Sequence, residues 1–338
     1  MRYRSVGATD LIVSEAAFGC GDNAGLMLRG HFREQARVIA RALELGVTFF
    51  DVSPAYGSGA AERNLGRALK DLGARPFINS KAVVDVRDRD AVADYLVRSV
   101  EESLRRLRID ALDMLQIDIG PSLEASACEA PGDQRRWAED FLRPDGVCEG
   151  LERLRRAGKI RHAGFICRGD DVEAACALLD TGLFHLINVS YSLLNPTAGM
   201  MKPAAVNARD FSDVIGEARK RGASAAVYSP LAGGFLTDDF LHGAARHPLA
   251  RAADPLAVLR ASRQVAALSF LREDGDSLAI AAWRFVLSHP GVATVIGGFS
   301  SLEQLEELAT APARGPLSGE TMARLETLWA SGFGAPLP

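Results

Sequence analysis

Long hydrophobic runs are missing from this chain of 338 residues: no window of eighteen is apolar throughout. Met1-Arg2-Tyr3-Arg4-Ser5 has no apolar signal core behind it. Neither a spanning helix nor a secretory leader is expected, so the reading is a cytoplasmic protein. Charge of one sign is also missing. Lys and Arg number 39 against 43 Asp and Glu, giving a net charge of −4 without a basic stripe. No nucleic-acid partner and no membrane partner is expected. Lysine is scarce, five of the 39 basic residues, a bias that suits a GC-rich bacterial genome. Cysteine is few and odd in number, with Cys20, Cys128, Cys148, Cys167 and Cys176 in no Cys-x-x-Cys spacing. That argues for reduced thiols, against a disulfide framework, and for no metal site. No Gly-x-Gly-x-x-Gly follows a strand-like run, so the Rossmann fingerprint is absent.

What is present is apolar material, 48% of the residues, sufficient for a large core. Eight short runs read as strands: Ala16–Gly19, Val47–Phe50, Phe77–Asn79, Leu112–Ile117, Ile160–Ile166, Leu186–Val189, Ala225–Tyr228 and Ala293–Ile296. They are mostly apolar without strict alternation, as in parallel strands buried on both faces. Helical spacing lies between them. Ala36, Ile39, Ala40 and Leu43 repeat at i, i+3, i+4, i+7, and Leu96, Val100, Ser103, Leu104 and Leu107 repeat the pattern among Arg and Glu. Gly158, Gly182 and Gly222 suit helix C-termini. Eight alternating units in about 300 residues favour a closed (β/α)8 TIM barrel, α/β class, over an open sheet. The expectation is one barrel domain over residues 1–338. Gly7-Ala8-Thr9-Asp10 between two β-like runs predicts an N-terminal β-hairpin closing the barrel floor. Long loops follow three strands, at 119–146, 191–210 and 231–256, on the C-terminal face where barrels place their sites.

Chemistry gathers on that face. The second strand leads into Asp51-Val52-Ser53-Pro54-Ala55-Tyr56-Gly57, and the third ends Asn79-Ser80-Lys81. Asp51, Tyr56 and Lys81 therefore fall at or just beyond the ends of adjacent strands and can converge. Added to these are the opening Tyr3-Arg4-Ser5-Val6-Gly7 and the segments Gly158-Lys159-Ile160-Arg161, Tyr228-Ser229-Pro230-Leu231-Ala232-Gly233-Gly234-Phe235 and Val295-Ile296-Gly297-Gly298. In this order and spacing, over nearly the whole length, the sequence resembles an aldo-keto reductase.

The resemblance implies an NAD(P)(H)-dependent oxidoreductase that binds its dinucleotide without a Rossmann motif and acts on a small or medium organic substrate. It implies Tyr56 as general acid, Lys81 as the cation lowering the Tyr56 pKa, and Asp51 as the anchor of Lys81. It assigns the cofactor to Gly21, Asp51, Asn188, Tyr228, Ser229, Leu231, Gly233, Gly298, Ser300, Gln304 and Glu307. Departures from the family pattern cluster at this site. The fourth strand carries Asp118 where the family has His. Ile166 and Cys167 replace the Ser-Asn pair that holds the carboxamide. Asn188 replaces Gln, Leu308 replaces Asn, and Ser300 stands where a cation meets the 2′-phosphate. Either NADP(H) or NAD(H) fits that pattern, with Ser300, Ser301 and the helix start at Leu302 left to meet a phosphate. An acid at 118 also keeps three chemistries open: reduction of a carbonyl, reduction of an activated C=C, and a redox-neutral elimination or isomerisation. A low-turnover nucleotide-binding regulator is a further alternative. Trp137, Phe141, Met200 and Met201 are candidate pocket walls, and His31, Asp22 and Asn23 follow the first strand toward the site.

Overall fold

A computed structural model describes residues 1–84, 90–123, 135–169, 171–244, 247–272 and 275–334, with backbone alone at 135–137. Eight parallel strands close into a barrel in which chain order and spatial order coincide. They are β1 Ala16–Gly19, β2 Phe49–Asp51, β3 Phe77–Ala82, β4 Leu112–Ile117, β5 Ile160–Cys167, β6 Phe184–Ser190, β7 Ser224–Tyr228 and β8 Val292–Gly298. β8 closes on β1 through Val295↔Ala16 to Gly298↔Gly19. The eight apolar runs are thus the eight staves. β2 begins two residues later than expected, and β3 runs on through Lys81, which puts that lysine inside the strand.

The helices are α1 Phe32–Glu44, α2 Ala60–Leu72, α3 Val92–Leu107, α4 Val147–Arg156, α5 Val172–Leu179, α6 Val214–Lys220, α7 Leu278–Ser288 and α8 Leu302–Leu308, with α9 Gly319–Ala330 near the end. The apolar stripes foreseen at Ile39 and at Leu96, Val100 and Leu104 are buried against the strands, while the Arg and Glu between them face out. Gly158 and Gly222 take φ of +67° and +75° beyond α4 and α6, where a Cβ would be strained.

Residues Tyr3–Ser5 and Ile12–Ser14 form the expected antiparallel hairpin. Its Val6, Leu11 and Val13 pack with Phe49, Met114 and Leu186 to fill the barrel floor. With the floor plugged by apolar side chains, polar inward residues are left to the opposite end, where the strands terminate. The loop after β4 adds a small two-stranded sheet, Gly120–Ser122 with Arg135–Trp137. The segment after β7 carries helices at Asp238–Leu241, Pro248–Arg251 and Pro255–Ala267 before reaching α7.

Candidate active site

Side chains two apart in a strand share a face, so Asn79 and Lys81 of β3 point the same way into the barrel. Asp51 ends β2 in register with Asn79 and meets both. Asn79 Nδ2 donates to Asp51 Oδ1 at 2.6 Å, and Lys81 Nζ donates to Asp51 Oδ2 at 2.7 Å. Lys81 Nζ also reaches the Val52 carbonyl at 3.2 Å and the Tyr56 hydroxyl at 3.1 Å. Tyr56 is delivered by the turn after β2, closed by its own N–H to the Ser53 carbonyl at 3.1 Å. Asp51 and Lys81 are both about 95% buried, and each offsets the burial of the other's charge. Burial alone would push Lys81 down. Asp51, Tyr56 and Asp118 outweigh it and hold the ammonium above its ordinary range. Burial raises the Tyr56 pKa against the lowering pull of Lys81. The effect of Lys81 on Tyr56 has the expected sign, but burial is larger, so Tyr56 stays a firmly protonated donor.

The next two strands contribute a second ion pair, between residues that the sequence analysis does not connect. Asp118, just past β4, is anchored by its N–H to the Ala82 carbonyl at 2.8 Å. Its carboxylate does not compete with Tyr56 for a bond to Lys81. It pairs with Arg168, just past β5, whose Nη2 donates to Asp118 Oδ1 at 3.0 Å. The same guanidinium lies near the Tyr228 ring and pulls its hydroxyl down against the raising effect of burial. Burial pushes the Asp118 carboxyl up, while Lys81 and Arg168 pull it back. Gly120 makes room for this: a Cβ there would lie 2.7 Å from Arg168 Cγ.

The model of the Aldo/keto reductase family matches residues 17–330. This chain belongs to that family. Among curated relatives, aldo-keto reductase YhdN of Bacillus subtilis (strain 168) is 25% identical over 91% of this chain and 88% of its own. L-galactose dehydrogenase of Arabidopsis thaliana is also 25% identical, over 97% and 94%. The solved holo form of aldo-keto reductase AKR11C1 from Bacillus halodurans superposes with a TM-score of 0.72 at 24% identity, covering 97% of this chain and 96% of that one, and shares the barrel. The aldo-keto reductase described here is accordingly an NAD(P)-dependent oxidoreductase.

The residues present fit a nicotinamide dinucleotide. Asn188 near the end of β6 is buried, and its Oδ1 has no partner among the described residues, an acceptor in want of an amide N–H. Ile166, its neighbour across the β5–β6 ladder, and Cys167 are buried and offer no strong donor. Burial pushes the Cys167 thiol up to about 11. Tyr228 ends β7, and the chain then turns sharply through Ser229 at φ +55°, Leu231, and Gly233 at φ +70°, exposing backbone at the rim. Gly21 follows β1, and a Cβ on it would sit 3.7 Å from the Tyr56 ring. Gly298 ends β8. Beyond it Ser300 donates twice to Gln304 Oε1, from N at 3.0 Å and Oγ at 2.9 Å, while Ser301 caps α8. Glu307 accepts from Ser277 Oγ at 2.5 Å. These two local engagements leave Ser300 and Glu307 at an exposed rim, with Ser300 itself uncharged.

Several candidates lie elsewhere. Phe141 is fully buried, edge-on to Phe184 at 6.5 Å, and is core rather than pocket wall. Met201 is 70% exposed, and Met200 leans on the core. His31 is exposed at the start of α1. The Trp137 side chain and Cys128 fall outside the described residues; the other four cysteines are free thiols. Sequence reasoning missed Asn79, Gly120 and Arg168. The one available signal for Arg168 was a cationic residue at a strand end on the C-terminal face.

Proposed function

We propose that this enzyme reduces the carbonyl group of a small or medium organic substrate with NAD(P)H, Tyr56 donating the proton. The observation that carries this reading is the Lys81 ammonium, held by buried Asp51 and placed 3.1 Å from the Tyr56 hydroxyl. As negative charge grows on the substrate oxygen, Tyr56 gives up its proton and Lys81 stabilises the tyrosinate left behind. Asp51 keeps Lys81 charged and Asn79 keeps Asp51 aimed. When bound, the dinucleotide supplies the hydride. Asn188, Tyr228 and the Ser229–Gly233 turn would hold its nicotinamide and pyrophosphate, Gly21 would let it approach Tyr56, and Gly298, Ser300, Gln304 and Glu307 would meet its adenosine end.

The test is oxidation of NADH or NADPH by the purified protein across aldehydes, ketones and enones. Tyr56→Phe should lower kcat by about 10²–10⁴-fold with dinucleotide affinity retained. Turnover within threefold of wild type would remove Tyr56 as the acid. One observation favours a second reading, reduction of an activated C=C. Burial pushes the Asp118 carboxyl toward the protonated form that could donate to an enone oxygen. Asp118→Asn keeps a donor there, so under that reading the variant retains enone activity. A reaction that consumes no nicotinamide and dies in Asp118→Asn would instead mark redox-neutral chemistry.

A further inference from the structure

We infer that Arg168 is the second hydrogen-bond donor to the substrate oxygen and that Asp118 is its positioning residue. The inference rests on the carbonyl reduction proposed above and names the group that shares the oxyanion with Tyr56. A carboxylate at position 118 repels a developing oxyanion if it stands alone. It does not stand alone: its Oδ1 accepts from Arg168 Nη2 at 3.0 Å. Asp51 with Lys81 and Asp118 with Arg168 make two ion pairs at the mouth of the barrel, so the floor of the site is electrically neutral before substrate arrives.

Of the two cations, Lys81 is spent on Asp51, Val52 and Tyr56. Arg168 has donors to spare. A guanidinium carries five N–H groups in a planar fork and stays charged at every working pH. Asp118 engages part of that fork, and Arg168 Nε is buried without a partner among the described residues. Its side chain is 24% exposed, so it is open to the mouth rather than sealed in the wall. Its placement is built in from two sides. Gly120 leaves the space for its stem, and the Arg168 carbonyl is fixed by Arg209 Nη1 at 2.9 Å. Asp118 N–H is fixed to the carbonyl of Ala82, the residue after Lys81, so the guanidinium it holds stands at the strand ends beside the one that presents Lys81 to Tyr56.

In the reaction, bound NAD(P)H would supply the hydride to the carbonyl carbon and would itself be oxidised to NAD(P)+. The C=O π pair moves to oxygen, Tyr56 transfers its proton there, and Arg168 hydrogen-bonds the oxygen without losing a proton. Tyr56 is then reprotonated from water. Asp118 takes no proton in this step; its part is to aim Arg168. The groups facing it are Lys81, Asp51, Tyr56, Tyr228 and Arg168. Protonation of Asp118 in acid frees the guanidinium and lowers the rate.

The experiment measures kcat and KM against pH for wild type, Arg168→Gln, Arg168→Lys, Asp118→Asn and Gly120→Ala. Dinucleotide affinity from protein fluorescence and thermal midpoints are measured alongside. Arg168→Gln should lower kcat by about 10²–10³-fold, with dinucleotide affinity within a few-fold. Arg168→Lys should recover part of the loss. Gly120→Ala, which pushes the stem aside, should lower kcat in the same direction. Asp118→Asn should lose less, shed the acid limb of the profile, and add nothing in an Arg168→Gln background. An Arg168→Gln enzyme with unchanged kcat overturns the inference, as does one that only raises KM for carboxylated substrates or that loses dinucleotide binding in step with rate. A wild type that binds dinucleotide but reduces no carbonyl overturns both this inference and the reading beneath it. An active wild type with an equally active Arg168→Gln overturns this inference alone.

Discussion

Lys81 shows how a single charged residue can be structural and chemical at once. It and Asp51 are buried together, and the pair is tolerated because Asn79, Val52 and Tyr56 satisfy the remaining polar atoms. Removing one partner leaves a buried charge without compensation. Lys81→Met should therefore cost about 3–5 kcal/mol of stability as well as turnover, read by denaturant melts. Asp51→Asn combined with Lys81→Met should regain much of the stability and none of the activity. The neighbours of Lys81 raise its pKa on folding. Its contribution to stability is thus fully present below the unfolded value of about 10.4 and is lost only at more alkaline pH. Melts between about pH 7 and 9 should show no slope from this group. Cys167, its thiol pushed up to about 11, should react with iodoacetamide far more slowly than an exposed cysteine.

Elements are coupled beneath the site as well as in it. Glu62 of α2 is fully buried and accepts from Ser80 of β3 at 2.7 Å and from Arg106 of α3 at 2.5 Å. One carboxylate thereby ties two helices to the strand that presents Lys81. The same helices meet at Gly66, where a Cβ would come within 2.3 Å of the Leu107 carbonyl oxygen. Backbone cannot yield there as a side-chain tip could, so Gly66→Ala should destabilise by about 1–3 kcal/mol. Because Glu62 transmits the shift to β3, kcat should fall further than the change in thermal midpoint implies. A variant with a lower midpoint and wild-type kcat would uncouple the helices from the site.

At the scale of the whole molecule, the barrel is locked at its floor and open at its mouth. Arg4 of the hairpin donates to Glu15 at 2.6 Å, and its remaining nitrogens reach the Leu287, His289 and Val292 carbonyls around the end of α7. The first residues of the chain thus fasten its last barrel unit. Arg4→Ala leaves Glu15 buried, with only Arg2 at 3.9 Å in place of its partner. The variant should lose about 3 kcal/mol of stability while kcat below the melting range is unchanged. In the proposed binding mode, the exposed rim after β8 meets the adenosine end and is where cofactor choice is tested. Ser300→Arg supplies the missing cation and should tighten NADPH relative to NADH by about tenfold or more, measured by fluorescence titration.

The barrel was legible in the sequence because its cause is periodic. Eight apolar runs separated by helical stripes admit few packings, and a period survives shifts of a residue or two, such as the late start of β2. Asp51, Tyr56 and Lys81 were legible because strand ends on one rim must converge, and their family resemblance fixed the order. The meeting of Asp118 with Arg168 was not legible. These residues are fifty positions apart on neighbouring strands, and neither has a pattern that names the other. Whether Asp118 faces Lys81 or is claimed by another cation depends on the direction of one flexible side chain, on the space left by Gly120 and on the hold of Arg209 on the Arg168 backbone. Phe141 was misplaced for the same reason, since an aromatic in a rim loop can line a pocket or turn inward against Phe184. Periodicity and strand order set which residues reach the mouth of the barrel; only tertiary packing decides which charges pair there.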